Sequence, residues 1–486
     1  MRNRPGKSLL RILSALGLGL LLVQCAENPV TGRQQFVMMS EPDELRVGRE
    51  GDAEVRKEYQ TYPAPDLQKY VDQIGQRLAR NSHRAGLAYR FTVLDSPEVN
   101  AFALPGGYVY ITRGIMAYLN SEAELAAVLG HELGHITARH GVQQYTAAQA
   151  ANIGVAIGSI FLPELASGAG QSIVNLLGNA LLSGYGREHE LEADRLGAEY
   201  LSRAGYDSQA MIRVIGVLKN QELFDAEVAR QEGREPRAYH GLFASHPDND
   251  TRLQQVVAEA GRLGGRGGTD SPAALLAQLD GLVFGDSPSQ GLIRNNTFLH
   301  PELGFAARFP QNWRIRNLAD RLVASAPDES AGVELRVQEA KGAPADTLRR
   351  VFRLGGGVPI QNQSVGGLPA ATSTLSMQGR PVRVAAIHLE NKAFLMLGSA
   401  ASPATFQQRL ADINGIIQGF HPITAAERAQ ARPYTLRLTK AQPNATYASL
   451  ARESPLGRHA EGYLRLLNAA YPRGEPAAGQ SLKIVR

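Results

Sequence analysis

Cysteine is almost absent from this chain: Cys25 stands alone among 486 residues. One thiol cannot close an internal disulfide, form a Cys-x-x-Cys pair or build a thiolate zinc site, so any metal must be held by histidine and carboxylate side chains. An excess of one charge is also missing. The 51 Lys and Arg stand against 46 Asp and Glu, and Arg2, Arg4, Lys7 and Arg11 meet no acid before residue 25, so the net +5 falls to +1 without residues 1–24. A strongly basic surface is therefore excluded, and no nucleic-acid partner is expected. Nor is the amino-terminal apolar run long. Ile12 to Val23 has 12 residues, where a membrane-spanning helix needs about 20. Behind its basic residues it reads as the core of a secretory signal over 1–24, so the chain is expected to be exported.

What is present is globular: 43% hydrophobic and 20% charged residues, in a length that allows roughly two to four domains. Leu22-Val23-Gln24-Cys25 resembles a bacterial lipobox, which implies lipidation of Cys25 and a membrane anchor. Gln24 departs from the small residue usual there, which leaves simple cleavage as the alternative. Ala26 is not the Asp that would signal inner-membrane retention, so the address implied is the outer membrane, facing the periplasm.

Hydrophobic periodicity places an amphipathic helix over 66–82 and short strands at Tyr89 to Val93 and Tyr108 to Thr112, the second after the turn Pro105-Gly106-Gly107. Ser121-Glu122-Ala123-Glu124 is a capping box before an apolar run, predicting a helix from 122 to about 147. It carries His131-Glu132-Leu133-Gly134-His135. Residues 147–183 are apolar but cut by Pro163 and Ser167-Gly168-Ala169-Gly170, which reads as a buried helical hairpin. A helix restarting near Arg187 carries Glu190-Leu191-Glu192-Ala193-Asp194, and helical sequence continues to about 260. Five glycines between 261 and 268 mark a linker.

The fold class is thus α+β and multidomain. A mainly helical domain with a small sheet covers 26–262, and a linker with a short helix covers 263–290. An α+β domain follows over 291–425, with strands at Leu303–Phe309, Arg321–Ala326, Gly332–Val337, Pro381–Leu389 and Ala393–Leu397 and helices near 345–354 and 404–418. Its opening, Phe298 to Trp313, resembles the start of small sandwich domains of the photosystem-accessory and nuclear-import-factor type. Residues 430–486 read strand, helix, helix, strand. From Tyr434 onward they resemble a LysM module, which implies peptidoglycan as a partner, although Asn444-Ala445-Thr446 stands where such modules show Gly-Asp-Thr.

The chemistry lies in the first domain. An α-helix turns about 100° per residue, so His131 and His135 share a face and can offer two imidazole nitrogens to one ion. Glu132 sits beside that face, where it can reach a water on the ion. Catalytic zinc takes three protein ligands, and Glu190 is the natural third. Asp194, one turn on, can accept the second ring N–H of a ligating histidine. His140, nine positions past His131, falls nearer the opposite face and reads as structural. His189 points about 100° from Glu190 and is left out.

These motifs, preceded by Asn100-Ala101-Phe102-Ala103-Leu104-Pro105-Gly106-Gly107, resemble the family of zinc metalloendopeptidases that contains HtpX and the CAAX prenyl proteases. Asn28-Pro29-Val30-Thr31-Gly32-Arg33 is similar to its exported bacterial branch. The resemblance spans roughly 28–260 and implies a gluzincin fold, one Zn2+ held by His131, His135 and Glu190, Glu132 as general base, and the strand Tyr108 to Thr112 as the edge that pairs with substrate. His246 has three readings: oxyanion stabiliser, occupant of the open zinc position, or helix cap before Pro247. The function expected is hydrolysis of peptide bonds in cell-envelope proteins, for quality control or outer-membrane biogenesis. The alternative is a peptidoglycan- or assembly-complex-binding scaffold or chaperone.

Overall fold

The computed structural model describes residues 24–149, 185–233, 252, 268–318 and 321–486. Most of the signal segment, nearly all of the expected hairpin at 147–183 and His246 lie outside the described residues. Two compact units emerge, one formed by the chain up to Phe284 with Thr435–Arg486, the other by Gly285–Tyr434.

In the first unit β1 (Gln24–Glu27) pairs antiparallel with β2 (Gln34–Val37), which sets Cys25 opposite Phe36. Asn28 folds the loop between them, its Oδ1 accepting from the Val30 and Thr31 amides at 2.8 and 3.1 Å. The helix α1 (Glu41–Glu58) follows, and then α2 (Pro65–Arg80), which starts on proline and buries Leu67, Val71, Ile74 and Leu78 along its three-four face. Strands β3 (Arg90–Leu94), β4 (Ala101–Leu104) and β5 (Tyr108–Thr112) form a sheet of order β3-β5-β4. Here the structure corrects an expectation. The strand β5 is central, parallel to β3 and antiparallel to β4, with all five residues buried, so β4 and β3 are the edges.

After α3 (Arg113–Met116), Ser121 caps α4 (Glu122–Thr137), its Oγ accepting from the Glu124 amide at 3.2 Å. The continuous helix expected to about 147 is broken. Helix α4 stops at Thr137, Arg139 takes φ 60°, and helical backbone resumes over 140–149. A left-handed arginine is costly, and tertiary contacts hold it there: its Nε donates to Glu44 Oε2 at 3.0 Å and a terminal nitrogen to the Met39 carbonyl at 3.3 Å, both buried. Helices α5 (Arg187–Arg203), α6 (Ala210–Glu232) and α7 (Pro272–Leu279) and the short strand β6 (Val283–Phe284) complete this part. Among the described residues no helix is long and apolar enough to cross a membrane.

The second unit runs β7 (Leu292–Arg294), β8 (Thr297–His300), β9 (Phe305–Arg308), β10 (Arg314–Asn317), β11 (Leu322–Ser325), β12 (Ala331–Glu339), α8 (Pro344–Val351), β13 (Gln361–Val365), β14 (Leu368–Met377), β15 (Arg380–Leu389), β16 (Lys392–Ala400), α9 (Pro403–Gln418), β17 (Phe420–Pro422) and α10 (Ala425–Gln430). Seven strands make one antiparallel sheet, β10-β11-β12-β16-β15-β14-β13, and four make another, β17-β9-β8-β7. One core gathers Phe298, Phe305, Trp313, Phe394, Phe406 and Phe420, and a second packs Leu348 of α8 on Val384 and Ala386. The hairpin β13-β14 escaped the sequence reading, although Gly366-Gly367, with φ 57° and 81°, is a two-residue turn of the kind that joins twisted strands.

The chain then returns to the first unit through β18 (Tyr434–Lys440), α11 (Tyr447–Ala451), α12 (Ala460–Leu467) and β19 (Ser481–Val485). This is the strand, helix, helix, strand order read from the sequence, but the segment is not a separate body. Strand β6 joins its sheet, with the Leu436 amide donating to the Leu282 carbonyl at 2.8 Å. Gly462 of α12 lies against Phe224 of α6, where a Cβ would meet the ring at 2.2 Å. Lys483 of β19 is fully buried and donates to the carbonyls of Ala117 and Leu119 at 2.7 Å each, just ahead of the α4 cap.

Burial lowers the Lys483 ammonium from 10.5 to about 7, against the pull of Glu124. Between those values the folded chain binds fewer protons at this site than the unfolded chain, so the site makes stability rise with pH through that window. Comparing the melting of the parent and Lys483→Met from pH 7 to 10 should show the gap moving in the parent's favour; parallel curves would rule this out.

Candidate metal centre

The centre is built where α4 crosses α5 at backbone distance. A Cβ on Gly134 would stand 2.9 Å from the Cα of Ala193, and one on Gly197 would stand 3.0 Å from the His131 amide nitrogen. Small residues therefore let the two backbones touch, and the acidic face of α5 is pressed against the histidine face of α4. His131 Nε2 and His135 Nε2 are 3.0 Å apart. The Glu190 carboxylate faces both, with Oε2 3.5 Å from His131 Nε2 and Oε1 3.4 Å from His135 Nε2. The three donor atoms lie within 4.8 Å of one another and all three residues are buried. Glu132, one position past His131, is buried beside them.

Asp194 Oδ1 stands 2.8 Å from His131 Nδ1, the position expected of a carboxylate that fixes a ligand's ring. Arg252 grips the same carboxylate, Nε to Oδ2 at 2.7 Å and a terminal nitrogen to Oδ1 at 2.8 Å, and approaches Glu190 Oε2 at 3.3 Å. Burial raises the Asp194 carboxyl, but the Arg252 guanidinium outweighs it and holds the group below its ordinary range. Burial opposes a charged His131, yet Asp194 and Glu190 push its imidazole up to about 9. No local pattern points to Arg252, because its partner Asp194 is 58 positions away.

His140 is placed differently from its sequence reading. The break at 138–139 swings it onto His135, with the two Nδ1 atoms 2.9 Å apart, and its Nε2 lies 3.1 Å from Glu192 Oε2. His189, left out before, stacks on the His140 ring at 4.2 Å, and Tyr185 stacks on His135 at 3.9 Å. His246 lies outside the described residues. Cys25 lies in β1, in the hairpin with β2.

The residues present fit a zinc ion on two grounds. Two imidazole nitrogens and a carboxylate oxygen converging on one point are the donor set of a catalytic zinc with an open position. Charge agrees: among the described residues Glu132, Glu190 and Asp194 are buried carboxylates around the centre and Arg252 is a buried cation. Carboxylates in that number beside the donor set favour a divalent cation at this point.

Comparison with known proteins agrees with this chemistry. Residues 65–260 match the model of Peptidase family M48. The beta-barrel assembly-enhancing protease of Escherichia coli K12 is 30% identical over 232 residues, which are 45% of this chain and 45% of that protein. The protein of the same name from Yersinia pestis is 31% identical over 206 residues, 41% of this chain and 40% of its own length. The mitochondrial metalloendopeptidase OMA1 of Schizosaccharomyces pombe is 31% identical over 234 residues, 47% of this chain and 64% of that one. The chain thus spans less than half the length of the two bacterial relatives. A solved PsbP structure from Synechocystis sp. PCC 6803 aligns at 10% identity with a TM-score of 0.22, covering 27% of this chain and 96% of that one. The family match and the named relatives support a metallopeptidase.

Replacing Arg252 would take a buried cation away from two buried carboxylates. Arg252→Met should lower the unfolding free energy of the metal-free protein by about 3–5 kcal/mol, read from urea denaturation; a loss under about 1 kcal/mol would show that Arg252 does not bear this charge.

Proposed function

We propose that this chain is a zinc-dependent endopeptidase of the M48 kind that cleaves proteins of the bacterial cell envelope. The observation that carries it is the buried convergence of His131, His135 and Glu190 beside Glu132. His131 Nε2, His135 Nε2 and a Glu190 oxygen would hold the ion, and Asp194, itself held by Arg252, would keep the His131 ring in register. Zinc, when bound, supplies a Lewis acid that eases ionisation of a water and accepts charge from a carbonyl oxygen. Glu132 then has two tasks in sequence. Its carboxylate accepts a proton from the attacking water and afterwards returns it to the departing amine, so no external buffer is needed. Its burial beside charged neighbours fits a group that exchanges protons out of contact with bulk solvent.

Substrate would add to β4. Thr112 N donates to the Asn100 carbonyl at 3.0 Å, and the antiparallel register then pairs Phe102 with Tyr110 and Leu104 with Tyr108 as the bonded positions. The backbone N–H and C=O of Ala101 and Ala103 therefore face away from β5, toward an incoming extended chain. Backbone pairing of this kind tolerates many side chains. An envelope setting is supported by the basic and apolar amino terminus, by the lipobox-like Leu22-Val23-Gln24-Cys25, and by the names of the bacterial relatives, which refer to β-barrel assembly.

Glu132→Gln should reduce casein cleavage by about 10²–10⁴-fold while one zinc per chain remains by elemental analysis; a zinc-loaded variant as active as the parent would overturn the proposal. Ala103→Pro removes an outward donor without touching the β5 ladder, so peptide cleavage should drop at least about tenfold with zinc content and melting temperature kept. Unchanged cleavage would move the substrate to another edge.

A further inference from the structure

We propose that His140 and Glu192 are positioning residues for His135, forming a relay of imidazole and carboxylate that fixes the orientation and protonation pattern of this ligand. The inference rests on the reading of His131, His135 and Glu190 as the zinc ligands. It goes beyond that reading because no sequence motif joins residues 135, 140 and 192.

Two ring nitrogens 2.9 Å apart can share one proton, so one must donate and the other accept. If His135 offers Nε2 to the metal, its Nδ1 carries the hydrogen and His140 Nδ1 is the acceptor. A neutral His140 then carries its own hydrogen on Nε2, which faces Glu192 Oε2 at 3.1 Å. The carboxylate thereby selects the His140 tautomer, and that tautomer selects the one His135 needs in order to bind metal. Every proton in the chain of contacts has one place. The two zinc histidines are thus supported unequally: His131 faces Asp194 directly, whereas His135 reaches its carboxylate through a second imidazole.

The fold is built to hold this relay. His140 is fully buried, and its ring lies on that of His189 at 4.2 Å with an interplanar angle of 22°. It can reach His135 only because Arg139 turns the chain in the left-handed region. Glu192 lies two residues past Glu190 on α5, so the helix that brings the third ligand also brings the end of the relay.

The test uses the full chain and zinc itself, with affinity measured by competition against a chromophoric chelator. Loss of a partner of this kind costs about 10–100-fold in metal affinity, and that is the weakening expected for His140→Ala. His140→Asn, whose amide oxygen can take the place of Nδ1 as acceptor, should stay within about threefold of the parent. Glu192→Ala should weaken zinc in the parent background and add nothing in the His140→Ala background, because the relay is already cut there. Parent-like affinity in His140→Ala overturns the relay. Equal weakening in the Ala and Asn variants, or additive losses in the double variant, overturns it as well, since packing alone would then explain the effect. If the parent takes up no zinc, the metal reading fails first and the relay with it. If Glu132→Gln binds zinc normally while His140→Ala also does, the metal reading stands and only the relay is lost.

Discussion

Two helices touch at backbone distance only where side chains are missing, and here that contact decides what the buried polar groups can do. Gly134 against Ala193, and Gly197 against the backbone at His131, let α4 and α5 close on each other until Glu190 faces both histidines. A Cβ at either glycine would crowd the facing backbone, and a site of this kind depends on its groups being held to about 0.5 Å. The same closeness removes water, so each carboxylate carried in by α5 must find a partner inside. Arg252 answers for Asp194, and the donor triangle is left facing a site suited to a divalent cation.

Much of this could be read from the sequence because it depends on local periodicity. The four-residue spacing of His131 and His135, the same spacing in Glu190 and Asp194, and the Ser121 cap are properties of single helices, and the structure places all of them where a 3.6-residue repeat would. Alternation likewise made Tyr108–Thr112 legible in the first unit and β9, β11, β12, β15 and β16 in the second, while β7, β8, β10, β13, β14 and β17 of the second were not read. What failed depends on distant partners. The break after α4 is held by Glu44, 95 positions from Arg139, and nothing near residue 139 announces it. His140 was assigned to the far face by extending a straight helix through that break. The central place of β5 follows from pairing with both β3 and β4, which no alternation within the strand can show. Arg252 belongs to the same class.

The second unit is an insertion between hydrogen-bonded neighbours. The chain leaves the first unit at β6 and returns at β18, and these two strands are paired in one sheet. Ends already held together can carry a large folded insertion at little cost in loop closure, because the closure is made by the host sheet. The sequence reading cut the chain into successive domains, and composition alone gives no reason to rejoin residues on either side of 285–434.

This topology changes the meaning of the carboxy-terminal segment. A module that resembles a glycan binder would be expected to keep its faces free, yet α12 is packed on Phe224 of α6, and Lys483 is committed to the carbonyls of Ala117 and Leu119. Those carbonyls precede Ser121, the cap from which the histidine helix starts. A buried amine with two acceptors and Glu124 nearby is an expensive way to hold a turn, and it makes that turn depend on the last strand of the chain. The carboxy terminus is therefore coupled through one side chain to the start of α4, two helical turns before His131. Residues 435–486 are therefore part of the scaffold that holds the turn from which the proposed metal helix starts.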